Sequence, residues 1–400
     1  MRILFVSPYA LPHLGGVEVA IDAVAEQLRE RGHEVVHVAS DAVRAGEAPA
    51  PPPGYRLVRV PANNALEDRT GAPWPLFGRR LLRTLSAELQ RADVVHAHGF
   101  VYSSSVAALA RARALRADSP LRVLTEHVGH VPYESRLLDR SEALAIGTLG
   151  RLSARSAEGL VYINDHVGAA LARFAPRALL RRIPNGVDTR LFRPPEPDEK
   201  ARLRSELGWD ERPRALFVGR LVEKKGVHAA LAAAAGGGGE FELVLAGPGE
   251  LPASAPASAQ ALGSLSRERM AAAYRAADAF VLPSRGEGFP LAVQEAMASA
   301  LPVVLADDPA YRPHLAQAGP AAILLPAEGE AIAAALRELF GDRGRLAEAG
   351  ARAAELARTQ FSWSAAADRH EELYAELAER RSSRPSRPSS RSSGARAGVP

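Results

Sequence analysis

Cysteine is absent from all 400 residues, which excludes disulfides, thiolate nucleophiles and thiolate-bound metals and suits a reducing compartment. Also missing is any apolar stretch of the roughly 18–20 residues that a membrane-spanning helix needs. The opening MRILFVSPYALPHLGG has one arginine and a short apolar run but no small-residue cleavage site, so it reads as a first buried strand. These absences lead us to expect a cytoplasmic protein. A charge imbalance is lacking too, once position is considered. The pI near 9.5 invites a nucleic-acid reading. Yet residues 381–400, RSSRPSRPSSRSSGARAGVP, hold five arginines and no acid, and removing those five from the formal +4 leaves residues 1–380 at −1. No nucleic-acid partner is expected of so neutral a body. The Ser/Pro/Arg tail has nothing to bury and is expected to be disordered. It serves either as a solvated appendage or as a peripheral contact with the anionic inner face of a membrane.

What is present is a globular composition, 47% hydrophobic and 24% charged, on a chain long enough for two cores. Short β-branched or leucine-rich runs alternate with helical patterns: RILFVS (2–7), HEVVHVAS (33–40), ADVVHAH (92–98), LRVLTEH (121–127) and EGLVYI (158–163). Between the first two, Val17, Ala20, Ile21, Val24, Ala25 and Leu28 recur at helical spacing. Such alternation predicts right-handed crossovers and a parallel sheet covered on both faces. A Pro-rich break follows near 184–213. The pattern then restarts with RALFVG (214–219), FELVLAG (241–247), DAFVLP (278–283), LPVVLA (301–306) and AAILLP (321–326). We therefore expect two Rossmann-like, doubly wound domains, 1–183 and 184–360, facing across a cleft. A helix over 361–380 should return to the first domain, ahead of the tail at 381–400. AAAAGGGG (232–239) lacks the Lys-Ser/Thr end of a phosphate loop and reads as a turn.

Ligands of open α/β sheets bind beyond the carboxyl ends of the strands, and one stretch there, SRGEGFPLAVQEAMASALPVV (284–304), carries two glutamates eight residues apart. Pro290 suits a first helical position, which predicts a helix over about 290–299 with Glu287 in the loop ahead of it. The N–H groups of 288–291 then offer a phosphate site at the positive helix end. Glu295, one turn in, can accept from a vicinal diol such as a ribose. Alone, each glutamate is an ordinary surface residue. Beside them, Arg220 and Lys225 in FVGRLVEKKG follow a strand, a fork and a point charge that would clamp a diphosphate.

At these positions the chain resembles a retaining glycosyltransferase of the GT-B fold, the large family four. The likeness runs through GGVE (15–18), TEH (125–127), IPNGVD (183–188), VGRLVEKKG (218–226), LAGPGE (245–250), the E-x7-E element EGFPLAVQE (287–295) and FSWSAAADRHEELY (361–374), over roughly residues 1–378. It implies that Glu287 holds hydroxyls of the transferred sugar and that Glu295 holds the nucleotide ribose. Arg220 and Lys225 would stabilise the departing diphosphate, with the backbone N–H groups of Gly288, Phe289 and Leu291; Pro290 has none. Gly15 and Gly16 would let backbone approach the donor phosphates, and His127 would contact the transferred sugar. His96 and His98 share a strand face but lack a third metal ligand, which leaves acceptor-side contact or plain core burial. Asn185 and Asp188 would order the cleft, unless NGVD is only a turn. Two departures from the family pattern stand out: Ala300 sits where glycine is usual, and DDPAYRPHL (307–315) replaces a Gly-rich donor loop.

The resemblance further implies a nucleotide diphosphate sugar donor (UDP-, GDP- or ADP-linked), a hydroxyl acceptor on a glycan, lipid or small molecule, and no metal or other cofactor. A sugar-nucleotide epimerase on the same fold is the alternative, and a binding protein without turnover is the third reading.

Overall fold

Each predicted apolar run becomes a parallel strand, and all but the last, at 322–325, are largely buried. The computed structural model describes residues 1–13, 16–42, 52–70, 73–116, 119–127, 136–163, 165–285 and 289–383, without the side chains of 136–139 and 165–166. The first part holds β1 (Arg2–Val6), β2 (Glu34–Ser40), β3 (Arg56–Val60), the two-residue β4 (Ala62–Asn63) and β5 (Leu76–Phe77), β6 (Val94–His98), β7 (Leu121–Glu126), β8 (Gly159–Tyr162) and β9 (Leu179–Arg182). The second holds β10 (Arg214–Val218), β11 (Glu242–Ala246), β12 (Ala259–Gly263), β13 (Ala279–Leu282), β14 (Val303–Ala306) and β15 (Ala322–Leu325).

Seven strands pair in the order β3-β2-β1-β6-β7-β8-β9 and six in the order β12-β11-β10-β13-β14-β15. Ile3 lies opposite Val35 and Val94, and Leu216 opposite Val244 and Phe280. β1 and β10 are each flanked by strands reached through crossovers of opposite direction, so each sheet has its crevice at the carboxyl end of that strand. Besides the two-residue pair β4 and β5, three strands were not expected: β3, β9 and β12. All lie at sheet edges, and their half-exposed sequences RLVRV, LLRR and AQALG lack the continuous apolar run that two-sided burial demands. The stretch expected as a turn at 232–239 begins as helix, which runs Val227–Gly236 before Gly238 and Gly239 turn with φ of 61° and 84°.

Helix Gly16–Glu30 buries Ala20, Ile21, Val24, Ala25 and Leu28 as its periodicity predicts, with Val17 only partly covered. Against the same sheet face lies helix Trp363–Ser382, whose Ala366, Ala367, Leu373, Tyr374 and Leu377 join Ile3, Phe5 and Ile21 in one core. Arg31 reaches Asp368 at 2.9 Å and Glu371 at 3.2 Å across this interface. The helix continues through Ser382, so Arg381, placed at the start of the expected tail, instead donates to the carbonyls of Ser119 and Pro120. Residues 384–400 lie outside the described residues. Among the described residues no helix is long and apolar enough to cross a membrane.

Chain passes between the two sheets at two places, and the two passages pair. The Val187 N–H donates to the Phe361 carbonyl at 2.6 Å. A Cβ on Gly186 would lie 2.6 Å from the Trp363 nitrogen, so only glycine admits the approach.

Ala300 explains one departure from the family pattern. It follows helix Leu291–Ala298 with φ of 61°, a left-handed conformation that glycine adopts without strain. Its carbonyl is crowded by helix Arg343–Leu356, where a Cβ on Gly350 would lie 2.5 Å away. Ala300→Gly should stabilise the protein by roughly 0.5–1 kcal/mol, after the larger entropy loss of glycine on folding is subtracted. Urea unfolding of the two proteins checks this; a lower midpoint for the variant contradicts it.

Candidate active site

The loop after β10 is squeezed between its neighbours. Gly219 N–H donates to the Ala246 carbonyl and Leu221 N–H to the Pro248 carbonyl, both at 2.9 Å. A Cβ on Gly226, at φ 77°, would strike the Pro283 carbonyl, and one on Gly247 would strike that of Gly219. Backbone therefore contacts backbone at the carboxyl edges of β10, β11 and β13, which delivers Arg220 and Lys225 to that edge. Arg220 is exposed and has no ion pair or hydrogen bond among the described residues. Lys225 ends the short 3₁₀ turn Glu223–Lys225 and is half-buried, its stem running beside Gly219. The two cations thus share one loop at the crevice.

The neighbouring loop leads into helix Leu291–Ala298, which corrects one expectation: Pro290 is the extended residue before the helix (φ −63°, ψ 141°), not its first turn. Its carbonyl accepts from Val293 N–H at 3.1 Å, so the N–H groups of Leu291 and Ala292 precede the first intrahelical bond. Phe289 anchors this start: its ring stacks on His314 at 4.5 Å and tilts against Phe361 at 4.8 Å. Its side chain is therefore structural, whatever its N–H does. Glu295 lies one turn in, where Tyr274 OH, 3.1 Å away, donates to its Oε2. Burial raises the Glu295 carboxyl above its ordinary 4.5, against the hydrogen bond from Tyr274 and the charge of Arg267. A carboxylate kept in so dry a place has no structural need that a glutamine would not meet.

Across the cleft, the sheet face under helix Trp363–Ser382 changes from apolar to polar towards its carboxyl edge. His96 and His98 stack at 4.5 Å, and His98 stacks on His127 at 5.4 Å, with His98 Nδ1 and His127 Nε2 3.1 Å apart. His96 is fully enclosed. Its Nδ1 meets Tyr374 OH at 2.7 Å and its Nε2 meets Thr125 Oγ1 at 2.6 Å. With both nitrogens engaged, His96 is a core residue, and neither metal nor acceptor has an atom to bind. Burial drives His96 and His98 well below 6.5 and holds His127 at about 4, so all three rings are neutral at pH 7. Among the described residues no cluster of three or more His, Asp and Glu is arranged to hold a metal.

The crossing segment 183–188 joins these two halves. Asn185 lies beside His127, where its amide weakly favours the charged ring. Three residues on, Asp188 Oδ1 accepts from the N–H groups of Arg190 and Leu191 at 3.0 and 3.3 Å, and its other oxygen lies 3.9 Å from Arg267. Arg267 in turn acts on Glu295. The structure thus brings His127, Asn185, Asp188 and Glu295 to one inter-domain crossing. Glu287, Gly288 and Gly15 lie outside the described residues. Gly16 opens its helix where a Cβ would meet nothing within 4 Å, so protein contacts do not demand glycine there. Tyr274 and Arg267 went unrecognised in the sequence, because each sits in an ordinary helical pattern with no local motif, and Tyr374, which closes FSWSAAADRHEELY, carries no local sign of its contact with His96.

Two family models match the chain: the one described as Glycosyltransferase Family 4 over residues 14–191, and the one described as Glycosyl transferases group 1 over residues 199–357. The GDP-mannose-dependent alpha-mannosyltransferase of Mycolicibacterium smegmatis is 32% identical over 367 residues, covering 90% of this chain and 94% of that protein. The D-inositol 3-phosphate glycosyltransferase of Xylanimonas cellulosilytica is 31% identical over 415 residues, with 92% and 94% covered. Among solved structures, the sucrose-phosphate synthase of Thermosynechococcus elongatus superposes with a TM-score of 0.64 at 20% identity, covering 95% of this chain and 99% of that one. That likeness shows the shared fold.

The raised Glu295 carboxyl makes a stability prediction with a definite sign. Below about 4.5 the group is protonated both folded and unfolded, and burial costs nothing extra. Above that, the unfolded chain gains more from ionisation than the folded one, so stability is lost as pH rises through the folded value. Glu295→Gln, which still accepts from Tyr274, should raise the melting temperature at pH 7 and much less at pH 4. Calorimetry at the two pH values measures it; an equal or reversed difference would show that burial does not penalise this carboxylate.

Proposed function

The chain belongs to glycosyltransferase family 4, and from that premise we propose that it transfers a sugar, with retention at the anomeric carbon, from a nucleotide diphosphate sugar to a hydroxyl acceptor. The observation that carries this reading is the partly buried Glu295, its carboxyl pushed above the ordinary range by desolvation, one turn inside a helix whose first two N–H groups precede the first intrahelical bond, with the loop of Arg220 and Lys225 at the neighbouring strand end. A dry carboxylate suits a ribose diol, and an open helix start with two cations suits the diphosphate attached to it. Mannose linked to GDP is the donor to try first, since the M. smegmatis relative is named for it.

In the step itself the bond from the anomeric carbon to the leaving phosphate oxygen breaks, and a bond to the acceptor oxygen forms on the same face. The acceptor's proton passes to the departing phosphate oxygen. Charge accumulates on the diphosphate, where Arg220, Lys225 and the start of helix Leu291–Ala298 meet it. Glu287, by its place in E-x7-E, holds hydroxyls of the transferred sugar, and His127 contacts the same sugar from the opposite domain. Closure of the cleft excludes the water that would otherwise hydrolyse the donor.

The test is incubation with labelled GDP-mannose and a panel of UDP- and ADP-sugars, with and without hydroxyl acceptors. Passage of label to the acceptor supports the proposal. Free nucleotide with an altered sugar and no acceptor requirement would make the protein an epimerase, and tight binding without turnover would make it a receptor. Chelation by EDTA should leave turnover unchanged, because the proposed cations are side chains; activity lost to EDTA and restored by magnesium overturns that assignment. Glu287→Gln should lower kcat by roughly 10²–10³-fold if its hydrogen bond strengthens as the sugar gains charge. Glu295→Gln should instead raise the donor KM with kcat nearly kept, since the ribose is unchanged between ground and transition states.

A further inference from the structure

We infer that His98 is a positioning residue: its hydrogen bond fixes the tautomer of His127, so that His127 turns an Nδ1–H towards the sugar bound in the cleft. This deepens the assignment of His127 as a sugar contact and rests on it. The rings are stacked, and His98 Nδ1 lies 3.1 Å from His127 Nε2. Two neutral imidazoles at that distance share one hydrogen, and whichever ring donates must leave its other nitrogen bare.

The remaining two nitrogens decide the direction. Among the described residues His98 Nε2 and His127 Nδ1 are both buried with no well-aligned hydrogen-bond partner, and only His127 has a polar side chain, the Asn185 amide, close enough to serve as one. Suppose His127 donates through Nε2. His98 then accepts at Nδ1 and must carry its own proton on Nε2, an N–H sealed under the sheet with Phe5 edge-on at 5.2 Å and His96 stacked at 4.5 Å. If His98 donates instead, its Nε2 is only an unused lone pair, a cheaper defect than an orphaned N–H. The remaining N–H then falls on His127 Nδ1, beside the Asn185 amide at the cleft edge, where the amide oxygen or an arriving hydroxyl oxygen can accept it. His98 therefore donates. The cost of one unpaired N–H is moved from the interior to the place where substrate removes it, and His127 is set as a donor to the sugar before binding.

The tautomer is directly measurable. In protein labelled with nitrogen-15 at histidine, the His127 signals are identified by their loss in His127→Gln, and wild type should show Nδ1 protonated. His98→Leu removes the donor; His127 should then lose the fixed tautomer, and kcat should fall by about tenfold, as for one neutral hydrogen bond, with the donor KM little changed. His98→Asn, whose amide N–H can take the place of Nδ1–H, should restore the tautomer and most of kcat. A wild-type His127 protonated on Nε2 overturns the inference. So does a His98→Leu protein that melts like wild type and keeps both tautomer and kcat. If His98→Leu fails to fold, wild type and His98→Asn still decide the matter. Should no sugar be transferred at all, the proposed function falls, while the spectrum still reports on the hydrogen bond.

Discussion

The pairing of the two inter-domain passages is the constraint on which the site depends. Val187 bonds to the Phe361 carbonyl, and Gly186 lies against the Trp363 nitrogen with no room for a side chain. These contacts hold both passages at one line, so the carboxyl edges of the two sheets meet along it. The chain's return as helix Trp363–Ser382 makes the link hard to undo: its apolar face completes the first domain's core, and that burial cannot be lost without exposing Leu373, Tyr374 and Leu377. A break in the first domain's core would thus loosen the cleft itself.

Along that line the protein tolerates polar groups in places that a stability-optimised fold would fill with carbon. Glu295 is held in a partly desolvated position by one tyrosine hydroxyl, and a column of histidines replaces aliphatic side chains under the first domain's carboxyl edge. Such groups are stabilising only when their partners are in place. His96 has partners on both nitrogens and serves the core; among the described residues His98 Nε2 and His127 Nδ1 each lack a well-aligned partner. The same residue type thus divides, by its hydrogen-bond partners, into a fully satisfied member and two that are not.

The glycines near the cleft divide in the same way. Gly226 and Gly247 are required because loops touch backbone to backbone. Gly16 is not required by any contact within 4 Å among the described residues.

By itself the sequence determined the fold class, the central strands and the second domain's cationic loop, because burial on both faces of a parallel strand writes a continuous apolar run that few other structures share. It also determined the family, since GGVE, the Arg220–Lys225 loop and E-x7-E occur in one order. The edge strands β3, β9 and β12 were not legible, because one exposed flank removes the apolar signature, and Pro290 was misplaced by a residue because its φ suits both the helix and the residue before it. What only the tertiary structure decided is which side chains share a site. Tyr274 meets Glu295 from 21 residues away, and Tyr374 meets His96 from 278. No local pattern encodes such meetings, for they arise where separately folded elements converge, and the same convergence decides which histidine nitrogens find a partner.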